Sequence, residues 1–330
     1  MVSTDSLAPG HDTGATTRTR LRRGPFSSGQ RSPGETRVRS ARSHESRTAA
    51  WMVGPAGFLL VLFLVIPVLL AFTLAFTNSR LISPRPAHFI GLTNFVNLFQ
   101  DSTFWASLRN TLYFAVVVVP VQAGLALALA LLVNAKVRGT NFFRTVYFVP
   151  VVTSIVVVSL LWRFMYQPDG LLNQFLVFIT LGHFTPIDWL NNTSTAMPAI
   201  IIMSIWQAVG FHMIIWLSGL QTIPAELYEA GDLDGATGWK RFRYITWPSL
   251  AATRTFILIT ITIAALSLFS QISVMTQGGP LDSTTTLVFM AVRTGYQQLA
   301  TGYASAISLV FFALVLTVAA IQRFLTREKA

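Results

Sequence analysis

The chain has 330 residues, of which 52% are hydrophobic and 11% charged, with a mean hydropathy of +0.56. Soluble domains carry about 25% charged residues, so this balance excludes an ordinary water-soluble protein and points to a chain that crosses a membrane several times. The formal charge of +11 does not mark a nucleic-acid binder: nine of the 24 Lys and Arg lie in the first 50 residues, and most others fall in short connections. Cysteine is absent, which excludes disulfides and thiolate metal sites. The five histidines (11, 44, 88, 183 and 212) are scattered, with no pair at metal-ligand spacing, so no metal is expected.

Residues 1–50 are rich in Ser, Thr, Gly, Pro and Arg and nearly free of large apolar groups. Such a segment cannot bury enough surface to offset its ordering entropy, and it reads as a disordered basic tail. Arg22 and Arg23 do not make a twin-arginine signal, because the first apolar run starts some thirty residues too late. The tail reads instead as a topology anchor, attraction of its arginines to anionic membrane lipid being the sharper, competing reading.

A helix rises 1.5 Å per residue, so crossing about 30 Å of hydrocarbon takes about 20 apolar residues. Six stretches qualify: 54–77, 111–133, 143–166, 197–220, 254–276 and 302–322. All are expected to be helical, since unpaired backbone is not tolerated in lipid. The expected fold is therefore an all-α membrane protein of six transmembrane helices. With the tail inside, the internal connections and C-terminus hold Lys136, Arg138, Arg144, Lys240, Arg241, Arg243, Arg254, Arg323, Arg327 and Lys329. The external ones hold Arg80, Arg85, Arg109, Arg163 and Arg293. This asymmetry places both termini in the cytoplasm of a multi-pass cell-membrane protein.

Between the spans, the external stretch 167–196 carries the turn signal Pro168-Asp169-Gly170 and an interfacial Trp189. The next external connection carries Gly278-Gly279-Pro280 and Thr284-Thr285-Thr286. Spans two to six hold almost no ionisable side chain in their middles, His212 being the main exception. Proton- or cation-coupled carriers keep such groups in the bilayer, so a self-sufficient carrier is disfavoured. No G-x-x-x-x-G-K-[ST] phosphate loop is present, and no nucleophile or metal constellation. The chain is expected to be non-catalytic and without a cofactor, any ATPase being a separate subunit.

The internal connection 221–250 differs from everything around it. Glu226, Glu229, Asp232 and Asp234 fall within nine positions, and Lys240, Arg241 and Arg243 follow. Pro224 suits a first helical position, and Glu226 and Glu229 then favour the positive helix end. Gly235 can stop the helix with φ > 0. Pro248 is expected to reset the backbone before the fifth span. Ala230 and Gly231 leave room for close approach. The shape expected is two short helices at an angle near the membrane surface, built for contact.

Here the sequence resembles a known family. Glu229-Ala230-Gly231-x-x-Asp234-Gly235-Ala236, then Phe242, Ile245 and Pro248, is similar to the E-A-A loop of permease subunits of ATP-binding-cassette type I importers. The family pattern is E-A-A-x-x-D-G-A followed by a Phe, an Ile and an L-P; Gly231 and Trp247 depart from it. Phe89-Ile90-Gly91-Leu92-x-Asn94-Phe95 and Gly278-Gly279-Pro280 are similar to the branch importing sugars and glycerol phosphates. The resemblance covers about residues 52–325. It leaves the tail 1–50 outside and implies a first span and external loop, 51–106, and a permease core, 107–325, whose loop 221–250 docks on the ATPase. It also implies the partners: two cytoplasmic ATPase subunits, a second permease, and an external solute-binding protein.

The path would then run between the two permeases. Ser204, Gln207 and Phe211 share a helix face at i, i+3, i+7, and Ser267 and Gln271 are spaced i, i+4. Their amide, hydroxyl and aromatic groups suit a polyol. Interhelical packing by small and polar residues is the competing reading of the same five. A permease for another solute, or a stand-alone carrier or channel, are the alternatives.

Overall fold

The computed structural model describes residues 51–83, 86–135 and 140–326. The expected tail, and Arg85, Lys136, Arg138, Arg327 and Lys329 of the topology argument, lie outside the described residues. Apart from a single bridge pairing Thr77 with Phe89, the regular elements among the described residues are helices. The chain divides between Leu62 and Phe63 into two units. In the first, residues 51–62 are helical and exposed, with only Gly57 half-buried. A helix apolar on every side is one that faces hydrocarbon.

The first span is α1 (Trp51–Leu74). Helix α2 (Thr93–Gln100) follows, then α3 (Ser102–Asn134), 33 residues and about 50 Å long. Asp101 caps α3, its carboxylate accepting from the Thr103 N–H at 2.8 Å and from the Tyr303 hydroxyl at 3.1 Å. The helix starts nine residues ahead of the expected apolar run, so it outreaches a bilayer core.

The third expected span is not one straight helix. Its halves, α4 (Thr140–Val152) and α5 (Ile155–Met165), meet at a bend of 102°. Pro150 offers no N–H and its ring crowds the preceding turn, while Ser154 turns extended at ψ 130°. Two side chains take carbonyls that lose their helical donors at the break: the Thr153 hydroxyl donates to Val149 O at 3.0 Å, and Gln207 Nε2 to Pro150 O at 3.4 Å. Hydropathy misses this break because the residues stay apolar throughout.

Helix α6 (Leu171–Ile179) leads to α7 (Ala196–Gln221), the centre of the main core. It packs along α3, where Trp216 Nε1 donates to Ala123 O at 3.2 Å and Gln122 Nε2 lies 2.8 Å from His212 Nδ1. At Gly210 the backbone of α7 touches the Tyr147 carbonyl of α4 so closely that a Cβ has no space. Then come α8 (Ala225–Leu233), α9 (Trp239–Arg241) and α10 (Trp247–Ser249), the last two joined by a π-helical turn over Phe242–Thr246.

The fifth span, α11 (Ala251–Leu266) and α12 (Ser270–Met275), is interrupted over residues 267–269. Thr286 Oγ1 donates to the Leu268 carbonyl at 2.8 Å there. Helix α13 (Leu287–Val292) leads to α14 (Thr301–Thr326), which packs on the last turns of α1, on α2 and on α13 around Leu98, Phe104, Leu287, Met290 and Ile307. Five helices can each cross a membrane by length and composition among the described residues, and six if the bent pair is one span.

Two of the π-helical turns, Val61–Val65 and Phe242–Thr246, end two residues before a proline, Pro67 and Pro248. Widening the helix by one residue relieves the clash between the proline ring and the carbonyl four residues back. Trp247 therefore keeps helical angles (φ −63°, ψ −44°) directly ahead of Pro248. This corrects the expectation that Pro248 resets the chain. The change of direction comes at Leu250, with ψ 9°.

Candidate functional site

The connection after α7 folds into the expected pair of short helices. Pro224 is the residue before α8 rather than its first, with ψ 138°. Glu226 lies in the first turn, where the helix dipole favours a carboxylate, and Glu229 is exposed one turn on. Gly235 has φ +72°. Its N–H bonds to Asp232 O at 3.1 Å, and that of Ala236 to Gly231 O at 2.8 Å. Those two bonds close the helix C-terminus in a Schellman motif, which needs a left-handed residue where Gly235 stands.

The second arm folds back on the first. Gly231 is buried, and a Cβ there would collide with the Cδ1 methyl of Ile245. The Tyr228 hydroxyl lies 3.2 Å from Thr246 Oγ1, which is buried. Arg241 sits over the Tyr228 ring at 4.4 Å and pairs with Asp232 at 3.5 Å. That pair is half-exposed, so it contributes only about 0–1 kcal/mol. Trp239 stacks on Phe242 at 5.3 Å, and Phe242 meets Trp247 at 6.0 Å. Gly231, Phe242 and Ile245 thus form the inside of the loop. Its outside carries Glu226, Glu229, Ala230, Asp234 and Pro248 together with exposed Leu227, Leu233, Trp239 and Tyr244.

The five residues read for the path differ in burial and in partners. Ser204 is buried, and its hydroxyl has no partner among the described residues. Gln207 is half-buried and committed to the carbonyl at the α4–α5 bend. Phe211 is exposed, edge-on to His212 at 5.2 Å. Ser267 is exposed at the interruption of the fifth span, so the helical spacing that paired it with half-buried Gln271 does not apply. A polar residue that caps a broken ladder cannot be told by spacing from one that faces a channel.

Three further assemblies escaped the sequence reading. Asn94 Nδ2 donates to the carbonyls of Ala75 and Thr77, at 2.8 and 2.9 Å, closing the end of α1. With Gly91 at φ +57°, this gives the stretch 89–95 a local structural role. Buried Asn173 binds three carbonyls through Nδ2 and accepts from Ile187 N–H and Trp189 Nε1, organising the stretch 167–196. In the stretch 278–286, the three threonines are wholly buried and bond back to Gly278, Gly279, Asp282 and Leu268. Asn110 Nδ2 ties that stretch to α3 through Asp282 O and Thr285 O. A lone Asn or Thr on an apolar background was the available signal, without a partner to assign it.

Comparison with known proteins places this architecture. Residues 121–329 match the family described as binding-protein-dependent transport system inner membrane component. The sulfoquinovosyl glycerol transport system permease protein SmoG of Agrobacterium fabrum is 37% identical over 283 residues, covering 85% of this chain and 91% of that protein. The lactose transport system permease protein LacF of Rhizobium radiobacter is 36% identical over 285 residues, covering 84% and 94%. A bacterial ABC transporter that imports the acidic polysaccharide alginate has a chain of the same fold, with a TM-score of 0.74 and 25% identity. That match covers 87% of this chain and all of that one. The motif, the apolar helices and the capped two-armed loop therefore have one account: the chain belongs to the binding-protein-dependent transport system inner membrane components, the non-catalytic permease subunits of ABC importers.

Proposed function

We propose that this permease carries a sugar or a glycerol-linked sugar inward, driven by a separate cytoplasmic ATPase that grips the loop 221–250. The observation that carries the reading is the construction of that loop. Its inner side is locked by Gly231 against Ile245 and by Tyr228 with Thr246. Its outer side presents Leu227, Leu233, Trp239 and Tyr244 beside Glu226, Glu229 and Asp234. Exposed aromatic and aliphatic knobs among charges, on a rigid support, are what a protein partner desolvates.

In this reading both termini and the loop are cytoplasmic, the tail 1–50 precedes a first span and external loop (51–106), and the core is 107–325. A second permease completes the path, and a solute-binding protein delivers the solute from outside, in keeping with the family's description. The names of SmoG and LacF favour a carbohydrate. Ser204, Gln207, Phe211, Ser267 and Gln271 remain the residues proposed to meet it. Open backbone at Ser154 and Ser267, both exposed, supports water on that side, since irregular backbone at membrane depth must be covered by protein or water.

The test is reconstitution in vesicles with and without the ATPase and the binding protein, the binding protein first screened against sugars, sugar phosphates and amino acids. Uptake of a sugar that needs both partners supports the proposal. Full uptake by this chain alone would overturn it in favour of a stand-alone carrier, and a binding protein that takes only a non-sugar would move it to another solute class.

A further inference from the structure

Two cavities of opposite character meet on α3, at the end of the helix remote from the loop 221–250. One, of about 510 Å³, has polar walls that include Asn110, Thr193, Ser194 and Ser283. The other is open and shallow, an apolar face of α3 formed by Trp105, Leu108, Leu112 and Val116. Arg109 and Tyr113 line both. Leu108, Leu112 and Val116 follow one another at i, i+4, i+8, so the apolar groove descends one face of α3. It runs from the boundary of the apolar sequence, near Thr111, into the span. Arg109 thus stands at the edge of the apolar stretch, the kind of place where a basic side chain on an apolar stem meets the headgroup region.

Arg109 is exposed and has no carboxylate or carbonyl partner among the described residues. Two other basic residues are engaged: Arg163 donates to Val274 O at 3.3 Å, and Arg293 pairs with Asp282 at 3.1 Å. Asp282 also borders the polar cavity, but its carboxylate is held by Arg293 and by the Thr285 hydroxyl, which offsets its repulsion of an anion. The Ser283 hydroxyl in the wall has no partner. A free cation, a phenol and hydroxyls on one side, with an apolar groove on the other, match a molecule with an anionic head and a hydrocarbon tail.

We propose that Arg109 and Tyr113 hold the phosphate of a membrane glycerophospholipid, its head in the polar cavity and an acyl chain along Leu112 and Val116. A soluble phosphate or sugar has nothing to place in the groove, and the groove shares the two side chains that would bind the head. The site lies apart from the residues proposed for the solute path and does not depend on the identity of the solute.

The experiment uses the complete importer, purified with its ATPase in mild detergent. Native mass spectrometry counts retained phospholipid for the wild type and for Arg109→Gln, Arg109→Lys, Tyr113→Phe and, as a control away from both cavities, Arg80→Gln. Wild type and Arg80→Gln keep a bound phospholipid. Arg109→Gln weakens it about tenfold, the scale of one charge-assisted hydrogen bond, and Arg109→Lys retains part of it. Assembly with the ATPase reports folding, and Tyr113→Phe gives a second reading if Arg109→Gln does not assemble. Equal retention in the wild type and all Arg109 and Tyr113 variants overturns the proposal. So does displacement of the lipid by millimolar inorganic phosphate, which would mark a soluble-anion site. Leu112→Cys, in a chain that has no other cysteine, provides the last arm: cross-linking to the second permease would show that protein covers the groove.

Discussion

Gly231 and Ile245 occupy one space: the Cδ1 methyl of Ile245 fills the place where a side chain on Gly231 would begin. In this chain the glycine at the third position of the E-A-A pattern is the residue against which the second arm packs. The departure at 231 and the match at 245 meet in one contact. Since the obstacle is the far end of a flexible side chain, Gly231→Ala is expected to cost little more than a rotamer change, about 0.5–1.5 kcal/mol. Gly231→Val should separate the two arms and abolish ATP-driven uptake while insertion continues. Adding Ile245→Val to Gly231→Ala should recover stability, giving a non-additive double-mutant cycle in thermal melts. Strict additivity would show that the two residues do not share the space.

At Gly235 the reason for glycine differs, because nothing lies within 4 Å of a Cβ built there. Only the backbone angle, φ +72°, selects the residue. Gly235→Asn is expected to keep ATPase co-purification near the wild-type level, since Asn tolerates left-handed angles. Gly235→Val should lose it, and with it ATP-driven uptake. Equal co-purification of the two variants would remove the Schellman turn from the docking surface.

Gly210 is a third case. The clash there is with the backbone at Tyr147, which cannot rotate away. Gly210→Ala should lower the melting temperature of the purified chain through about 1–3 kcal/mol of overpacking at the α4–α7 contact. Gly124 on α3 has open space around it, so Gly124→Ala should be neutral or stabilising by up to about 1 kcal/mol. The pair of melts checks the geometry with its own control.

Asn173→Ala removes one side chain that serves five backbone and ring partners. Each buried group left unpaired costs about 1–3 kcal/mol, so the stretch 167–196 should loosen as a unit. Trp189 emission is expected to shift to the red, and limited proteolysis to begin between Gln167 and Asn192. Asn173→Asp, which keeps the acceptors for Ile187 and Trp189 but loses the donors, should fall between the two. An unchanged cleavage pattern in Asn173→Ala would show that the stretch holds without the hub.

Much of the architecture was legible in the sequence because two signals in it are physically simple. A run of about 20 apolar residues has few alternatives to a spanning helix, and a charged interruption with Gly235 and Pro224 at fixed offsets has few alternatives to a capped turn. What stayed hidden was decided by competition for hydrogen bonds. The break at Thr153–Ser154 depends on Thr153 and Gln207 taking the carbonyls of Val149 and Pro150, which lose their helical donors where the chain leaves the helix. The helical path through Pro248 depends on a turn widened by one residue. The polar residues of spans four and five read alike in sequence, yet one is buried, one caps a bend and one lies at an interruption. Their roles are set by neighbours far away along the chain.

The connection from α7 to α8 is only three residues, Thr222 to Pro224, and α7 itself is unbroken for 26 residues. At 1.5 Å per residue it is a rod about 39 Å long. One end is continuous with a loop whose two arms are clamped together by Tyr228, Thr246, Gly231 and Ile245. The other end, at Met197 and Pro198, forms a wall of the polar cavity beside Arg109. A push on the loop has no slack segment in which to dissipate. A small tilt at the loop end becomes a displacement at the cavity end, so the length of the rod acts as the arm of a lever.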